Sequence, residues 1–294
     1  MKPLVLYCKS WRQDVLRARK LAQSIARHNR ENLEFHVSAP SADLPLFREH
    51  LQGLPHVLHS DEDILARNPR LDRAQVAAMP GYRSQQVVKS EFWRLGLCQA
   101  YVCLDSDSYF IRDFGLADFV APDGTPYTVM HEGKDFLQYL VNIGKQKYVD
   151  HALGEARAFA AQFPGVESRY RFGPTPVIWS AKAWRNLDEQ VLQPRGMTIG
   201  DAIAKFPSEL HWYGGAVLAT RPFPLLPREP LFRLYGYIEE YWRARRMGET
   251  DATLAAGFLG VTRQSAWDKA DDLDPSKRIR RALRTFLKYC FGRW

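Results

Sequence analysis

Apolar positions along the chain fall into short runs separated by amphipathic stretches. Leu4-Val5-Leu6-Tyr7-Cys8 is an unbroken apolar run of strand length. Val15, Ala18, Leu21, Ala22 and Ile25 then recur at helical spacing, with Asp14 in the N-cap position. Residues 33 to 38 read as a second strand. This order predicts a βαβ unit, hence a parallel sheet whose ligand chemistry gathers at the carboxyl ends of the strands. Pro40, Pro45 and Pro55 mark residues 39 to 56 as a loop-rich connection, and Leu58 closes a third strand. Pro80-Gly81 breaks the chain before a helix predicted over 84–99, where Val88, Phe92 and Leu95 form an apolar stripe. Tyr101-Val102-Cys103-Leu104 is a buried strand that ends in Asp105-Ser106-Asp107.

Further along, the pattern predicts a strand over 127–130, largely helical structure over 135–163, and a strand over 174–179 that begins on Pro174. Helices are expected over 181–192 and 198–205, a strand over 217–220, and helix again over 237–260. Neither an internal repeat nor a linker divides the chain, so one α/β domain over 1–274 is expected. A separate tail follows over 275–294.

Composition is ordinary for a globular protein of 294 residues, with 46% hydrophobic and 25% charged positions, and excludes a disordered or collagen-like chain. The charge is unevenly spread. Of the net +8, the segment Lys277–Trp294 contributes seven basic residues and no acidic one, which leaves 34 basic against 33 acidic residues elsewhere. A distributed nucleic-acid surface is therefore not expected. Cys8, Cys98, Cys103 and Cys290 form neither a CxxC pair nor a compact cluster and read as buried thiols. The opening apolar run is too short for a secretory signal, and nothing approaches the roughly 18 uninterrupted apolar residues of a spanning helix. A cytoplasmic protein is expected.

The most informative point is Asp105-Ser106-Asp107. Two carboxylates at the end of a buried strand are costly unless a cation or hydrogen-bond donors meet them. A hard divalent cation bridges such carboxylates to substrate phosphates. Arg83 and Lys89, just upstream, suit an anionic ligand. The run Gly81-Tyr82-Arg83-Ser84-Gln85-Gln86-Val87-Val88-Lys89, followed by Tyr101-Val102-Cys103-Leu104-Asp105-Ser106-Asp107-Ser108, resembles metal-dependent GT-A fold glycosyltransferases. It is closest to a bacterial group found among surface-polysaccharide genes, in which a QQxxK helix precedes an LDSD turn. Pro207-Ser208-Glu209-Leu210-His211-Trp212-Tyr213-Gly214 is similar to a second segment of that group. Ser90, after Lys89, departs from the apolar residue expected there.

The resemblance implies a GT-A-like, Rossmann-type mixed sheet flanked by helices, with a sugar nucleotide held by the first βαβ region and Mn²⁺ or Mg²⁺ held by the DxD. Asp107 would be the direct metal ligand, with Asp105 on the ribose or on the metal through water. Arg83 and Lys89 would face phosphate or base-edge groups or stand as solvated helix charges, and Tyr7, at the end of the first strand, is either a stacking partner for the base or, the reading favoured by the residue itself, a plain core aromatic. On the acceptor side a carboxylate is expected, either as the base that removes the hydroxyl proton or as the group that stabilises an oxocarbenium-like state, and Glu209, ahead of Trp212-Tyr213 and Gly214-Gly215, is the candidate, with His211 able to share the role. His131-Glu132 and Thr175 are weaker contributors.

The expected function is transfer from a nucleotide-sugar donor to a hydroxyl of a glycan or lipid-linked acceptor in lipopolysaccharide or capsule synthesis. Two rivals use similar features. A haloacid-dehalogenase-type phosphatase also carries a DxD after an apolar strand, but Tyr109 stands where that family has Thr or Val, and Asp271-Asp272 lacks a preceding strand. A non-catalytic sugar- or nucleotide-binding protein would share the 13% aromatic content. From Pro275, Ile279, Ala282, Leu283, Phe286, Leu287 and Cys290 recur at helical spacing among Lys and Arg residues. A basic amphipathic helix of this kind suits an anionic membrane surface, so peripheral attachment to the inner face of the cytoplasmic membrane is expected, the alternative being a helix packed on the domain or a dimer contact.

Overall fold

Leu4 to Cys8 are at most 2% exposed, the two-sided burial that a continuous apolar run acquires in the middle of a parallel sheet. The structure is a computed structural model that describes residues 1–142, 144–166 and 170–265. Its strands are β1 Lys2–Lys9, β2 Phe35–Ala39, β3 Val57–Ser60, β4 Cys98–Asp105, β5 Ser108–Phe110, β6 Thr128–Val129, β7 Val177–Ser180, β8 Pro227–Arg228, β9 Phe232–Tyr235 and β10 Gly260–Arg263. The helices up to the DxD are α1 Val15–His28, α2 Leu44–His50, α3 Asp61–Ala66, α4 Arg73–Ala78 and α5 Gly81–Glu91. Those after it are α6 Lys134–Asn142, α7 Gln146–Ala160, α8 Ala181–Asn186, α9 Ile199–Lys205, α10 Glu209–Thr220, α11 Ile238–Arg246 and α12 Asp251–Leu254.

The main sheet runs β3-β2-β1-β4-β7. Its first four strands are parallel, and β7 joins β4 antiparallel. The chain is thus α/β with a mixed central sheet flanked by helices; the alternating pattern implies its parallel part, and the antiparallel β7 makes it mixed. Two small sheets, β5-β10-β9 and β6-β8, lie outside the main one. One large core surrounds the main sheet, and a second small cluster of Tyr235, Ala244, Leu254 and Val261 forms around β9 and β10.

Several boundaries differ from the sequence pattern. Residues 217–220 are the last turn of α10 and not a strand. That helix is apolar on nearly every side and buried, so periodicity could not separate it from a buried strand. The helix expected over 84–99 begins at Gly81 and ends at Glu91; a 3₁₀ turn follows and Gly96, at φ 68°, stops it before β4. The supposed loop over 39–56 contains α2. Residues 237–260 divide into α11 and α12 before β10. The expected boundary at 274 and the tail lie outside the described residues. Among the described residues no helix is long and apolar enough to cross a membrane.

Candidate functional site

The carboxyl ends of β1, β3 and β4 open onto one cleft of about 1380 Å³. Asp105, the last residue of β4, is the register partner of Lys9 at the end of β1. The chain resumes as β5 at Ser108, which pairs with Thr262 of β10. Ser106-Asp107 is therefore a short turn held at both ends. The Arg263 amide donates to the Asp107 carbonyl at 3.0 Å, the Ser265 amide donates to Asp107 Oδ2 at 2.8 Å, and the Ser108 and Thr262 hydroxyls meet at 2.9 Å.

Helix α5 brings Lys89 to the same place. Its side chain is buried, and its Nζ donates to Asp105 Oδ1 at 2.6 Å while lying 3.8 Å from Glu209 Oε1. The Thr175 hydroxyl donates to the other oxygen of Asp105. Glu209 opens α10 behind the N-cap Ser208, and its amide donates to Gln86 Oε1 at 3.3 Å. Burial opposes the charge on Asp105, but Lys89 and Thr175 outweigh it and hold the carboxyl below its ordinary range. Burial, reinforced by the charge of Asp105, pushes Asp107 up to about 7. Burial likewise raises Glu209, against the pull of Lys89. Burial also opposes the Lys89 ammonium, yet its two carboxylate neighbours raise it above the ordinary lysine value.

Asp107 Oδ1 is buried without a hydrogen-bond partner among the described residues. Such an oxygen is what a hard cation would satisfy, and the Asp105–Asp107 pair supplies oxygen donors only. Among the described residues no group of three or more His, Cys, Asp or Glu is arranged to hold a metal ion. Two carboxylates suit an ion that is completed by substrate phosphates, and the site fits a divalent cation of that kind.

Asp105, Asp107, Lys89, Thr175 and Glu209 all face this cleft, although they span positions 89 to 209. Other expected residues do not. Tyr7 is fully buried, stacked on Phe92 at 3.8 Å with its hydroxyl 2.9 Å from Ser38, so it cannot stack on a base. Arg83 turns away from the cleft, donating to the Ala204 carbonyl at 3.3 Å and to the Tyr82 hydroxyl at 3.0 Å. Lys89 is in the cleft, but its ammonium is occupied by two carboxylates rather than available to phosphate. His211 packs against Phe159 and sits 2.6 Å from the Ser208 hydroxyl; burial lowers it to about 4. Trp212 and Tyr213 are core residues. A Cβ on Gly214 would lie 2.1 Å from the Phe172 ring and one on Gly215 2.5 Å from Phe163, so these glycines admit core aromatics, not a sugar.

His131 is structural, its ring nitrogen donating to the Gly173 carbonyl at 2.5 Å, and Glu132 pairs with Lys134 at 2.5 Å. Asp14 takes the N-cap position without capping; its oxygens accept from the Trp11 indole at 2.8 Å and from Arg17 at 2.6 Å. Cys8, Cys98 and Cys103 are buried, and burial pushes their thiols up, Cys98 to about 12. Cys290 lies outside the described residues, as do Asp271 and Asp272.

Lys9, Ser10, Trp11 and Asp61 also line the cleft, and sequence reasoning passed over them. Trp11 is 45% exposed at the cleft. The signal was available. Ser10 and Trp11 follow β1 and Asp61 follows β3, so asking what stands just past each parallel strand would have found all three.

Among solved structures, mouse xyloside xylosyltransferase 1 in its apo form is similar to this chain, with a TM-score of 0.47 and 12% identity over 90% of this chain and 98% of that one. No curated protein matches the chain in sequence. A family model matches residues 3–244. With more than half of its length matched, the chain belongs to the family of unknown function DUF6492.

Proposed function

We propose that this protein is a GT-A-type glycosyltransferase that moves a sugar from a nucleotide-sugar donor to a hydroxyl of a glycan or lipid-linked acceptor. Its place would be in bacterial surface-polysaccharide synthesis, of lipopolysaccharide or capsule. The observation that carries this reading is the meeting of the DxD turn, Lys89 and Glu209 in one cleft at the carboxyl edge of the sheet.

In this reading Asp107, with Asp105 beside it, holds Mn²⁺ or Mg²⁺. When bound, the ion supplies electrophilic stabilisation to the departing diphosphate. The chain's own residues do the rest. Lys89 keeps Asp105 ionised and fixes its orientation, helped by Thr175. The Ser265 amide and the β5–β10 pairing fix Asp107. Glu209 faces the acceptor: its burial makes the carboxylate a stronger base than an exposed glutamate, and it takes the proton of the attacking hydroxyl. The acceptor oxygen forms the new bond to the anomeric carbon. The old carbon–oxygen bond breaks, and its electron pair leaves with the nucleotide diphosphate.

The test is a panel of UDP-, GDP- and CMP-sugars assayed for hydrolysis and transfer with Mn²⁺, with Mg²⁺ and with EDTA. Metal-dependent turnover of one donor, reduced about a thousandfold in Asp107→Ala with the circular dichroism spectrum unchanged, is expected. Release of phosphate from simple phosphomonoesters with no response to any sugar nucleotide would support the phosphatase instead. Binding without turnover would support the non-catalytic alternative.

The cationic segment 277–294, outside the described residues, is proposed as the contact with an anionic membrane surface. A chain ending at Asp274 is expected to lose co-sedimentation with phosphatidylglycerol vesicles; undiminished sedimentation refutes that role.

A further inference from the structure

Helix α5 lays Tyr82, Gln85, Gln86 and Lys89 along one face of the cleft, at the i, i+3, i+4 and i+7 spacing of a single helical stripe. Lys89, at the inner end, belongs to the ion-pair cluster with Asp105 and Glu209. Tyr82, at the outer end, is 55% exposed. Single exposed aromatics are common, but this one is held in place. Its hydroxyl accepts from Arg83 Nε at 3.0 Å, and the Arg83 guanidinium stands 5.6 Å from its ring centre. Arg83 is anchored in turn on the Ala204 carbonyl at 3.3 Å. Ordering two long side chains costs entropy, and an exposed ring offsets little of it by burial. A ring fixed in advance at a cleft rim lowers that cost for a ligand that stacks on it.

The ring is also tied to the reacting end. Gln86 Nε2 donates to the Tyr82 carbonyl at 3.0 Å, while Gln86 Oε1 accepts from the Glu209 amide at 3.3 Å. One side-chain amide thus joins the first turn of α5 to the first residue of α10, whose carboxylate the proposed reaction places against the acceptor. Tyr82 and Lys89 stand two turns apart, about 10 Å along the helix axis.

The neighbours of the ring narrow its ligand. A lipid chain needs a contiguous apolar strip, and Ser84, Gln85 and Gln86 surround the ring on the cleft side. A phosphate needs a cation directed into the cleft, whereas the Arg83 guanidinium is directed at a carbonyl and a phenol. Gln86 couples Tyr82 to Glu209 and not to the DxD turn, which favours the acceptor over the nucleotide base. A sugar fits: its C–H face lies on an aromatic ring, and the Gln85 amide both donates to and accepts from hydroxyls.

We infer that Tyr82 and Gln85 form an acceptor subsite for a neutral sugar ring, the neighbour of the ring whose hydroxyl is glycosylated, so that the acceptor is a disaccharide or a longer glycan. Arg83 is a positioning residue that acts through the Tyr82 ring. This inference rests on the transferase reading and names the acceptor class for its site.

Saturation-transfer NMR titration of the full chain tests it without requiring turnover. The probes are maltose, cellobiose, lactose and N,N′-diacetylchitobiose, each against its own monosaccharides. At least one disaccharide is expected to bind about tenfold more tightly than its monosaccharides, the worth of one aromatic contact. Tyr82→Ala, whose circular dichroism spectrum should match the wild type because the ring is exposed, removes that advantage, and Tyr82→Trp retains it. Arg83→Met reduces it by a smaller factor, about threefold. Combined with Tyr82→Ala, Arg83→Met adds no further loss, because its effect passes through the ring; additive losses overturn the positioning role. A wild type without disaccharide preference, or a preference unchanged in Tyr82→Ala, overturns the subsite and leaves the transferase reading to the nucleotide-sugar panel. If that panel shows no turnover while the preference depends on Tyr82, the transferase reading falls and the sugar subsite stands.

Discussion

Two buried lysines stand at the carboxyl edge of the sheet, and they are used in opposite ways. Lys89 meets two carboxylates, Asp105 at 2.6 Å and Glu209 at 3.8 Å, and Thr175 completes the hydrogen bonding of Asp105. Lys9 meets one, Asp61 at 2.8 Å, and leaves Asp61 Oδ1 and the neighbouring Ser10 hydroxyl without partners among the described residues. The first cluster is closed on itself and fixes the charges around the DxD. The second leaves hydrogen-bonding capacity unused among the described residues. The same contrast holds one residue apart within the DxD. Asp105, with a lysine against it, is held ionised, while Asp107, desolvated beside another carboxylate, is pushed up to about 7. What surrounds a carboxylate, more than its place in a motif, sets what it can do.

The largest expected effect comes from breaking the closed cluster. Lys89→Met leaves the buried Glu209 and the partly exposed Asp105 without their cation and should cost about 3–5 kcal/mol in urea unfolding. Lys9→Met should cost less, about 1–3 kcal/mol, because one carboxylate and the Ser10 carbonyl lose their donor, and burial already favours the neutral form of that carboxylate, Asp61. Equal losses would show that the two clusters are energetically alike and remove the distinction. Glu209→Gln keeps the shape of the closed cluster and removes its base, so turnover should fall about a hundredfold with donor affinity nearly unchanged. A fall in affinity alone would move Glu209 from chemistry to binding.

The smallest effect is set far from either lysine's cleft face. His36, buried on β2, lies 2.8 Å from His59 and 3.3 Å from Glu34. Burial, with His59 adding, lowers its value from 6.5 to about 4, although Glu34 pulls the other way. Burial lowers His59 too, against Asp63. Between these pH values the unfolded chain binds a proton that the folded chain does not. Stability is therefore full above about pH 6.5 and declines as pH falls toward 4. In thermal melts across that window, His36→Gln should flatten the decline, and an unchanged slope would assign it to the carboxylates.

Much of the fold was legible because a buried parallel strand and an amphipathic helix announce themselves locally. The run Leu4–Cys8 became β1, the spacing from Val15 became α1, and Tyr101–Leu104 lies within β4. The strand expected at 217–220 was misread because a helix buried all round shows no polar face. Strands β5, β8, β9 and β10, of two to four residues, are too short to carry a period. Within the candidate site, Asp105 and Asp107 were readable as a motif and Glu209 as a carboxylate ahead of aromatics. The role of those aromatics was not, since Trp212 and Tyr213 have the composition of a sugar platform and the burial of a core.

By itself, then, the sequence determined the alternation of strands and helices, the DxD at the end of an apolar run, and the concentration of positive charge after residue 276, because each depends on neighbours in the chain. Only the tertiary structure decided which charges meet. Lys89, Asp105 and Glu209 share one ion-pair cluster across 120 positions, Arg83 turns out of the cleft six residues from a lysine that enters it, and Tyr7 is sealed in the core while Trp11 reaches the cleft. Pairing and desolvation act through space, and a linear pattern carries no measure of either.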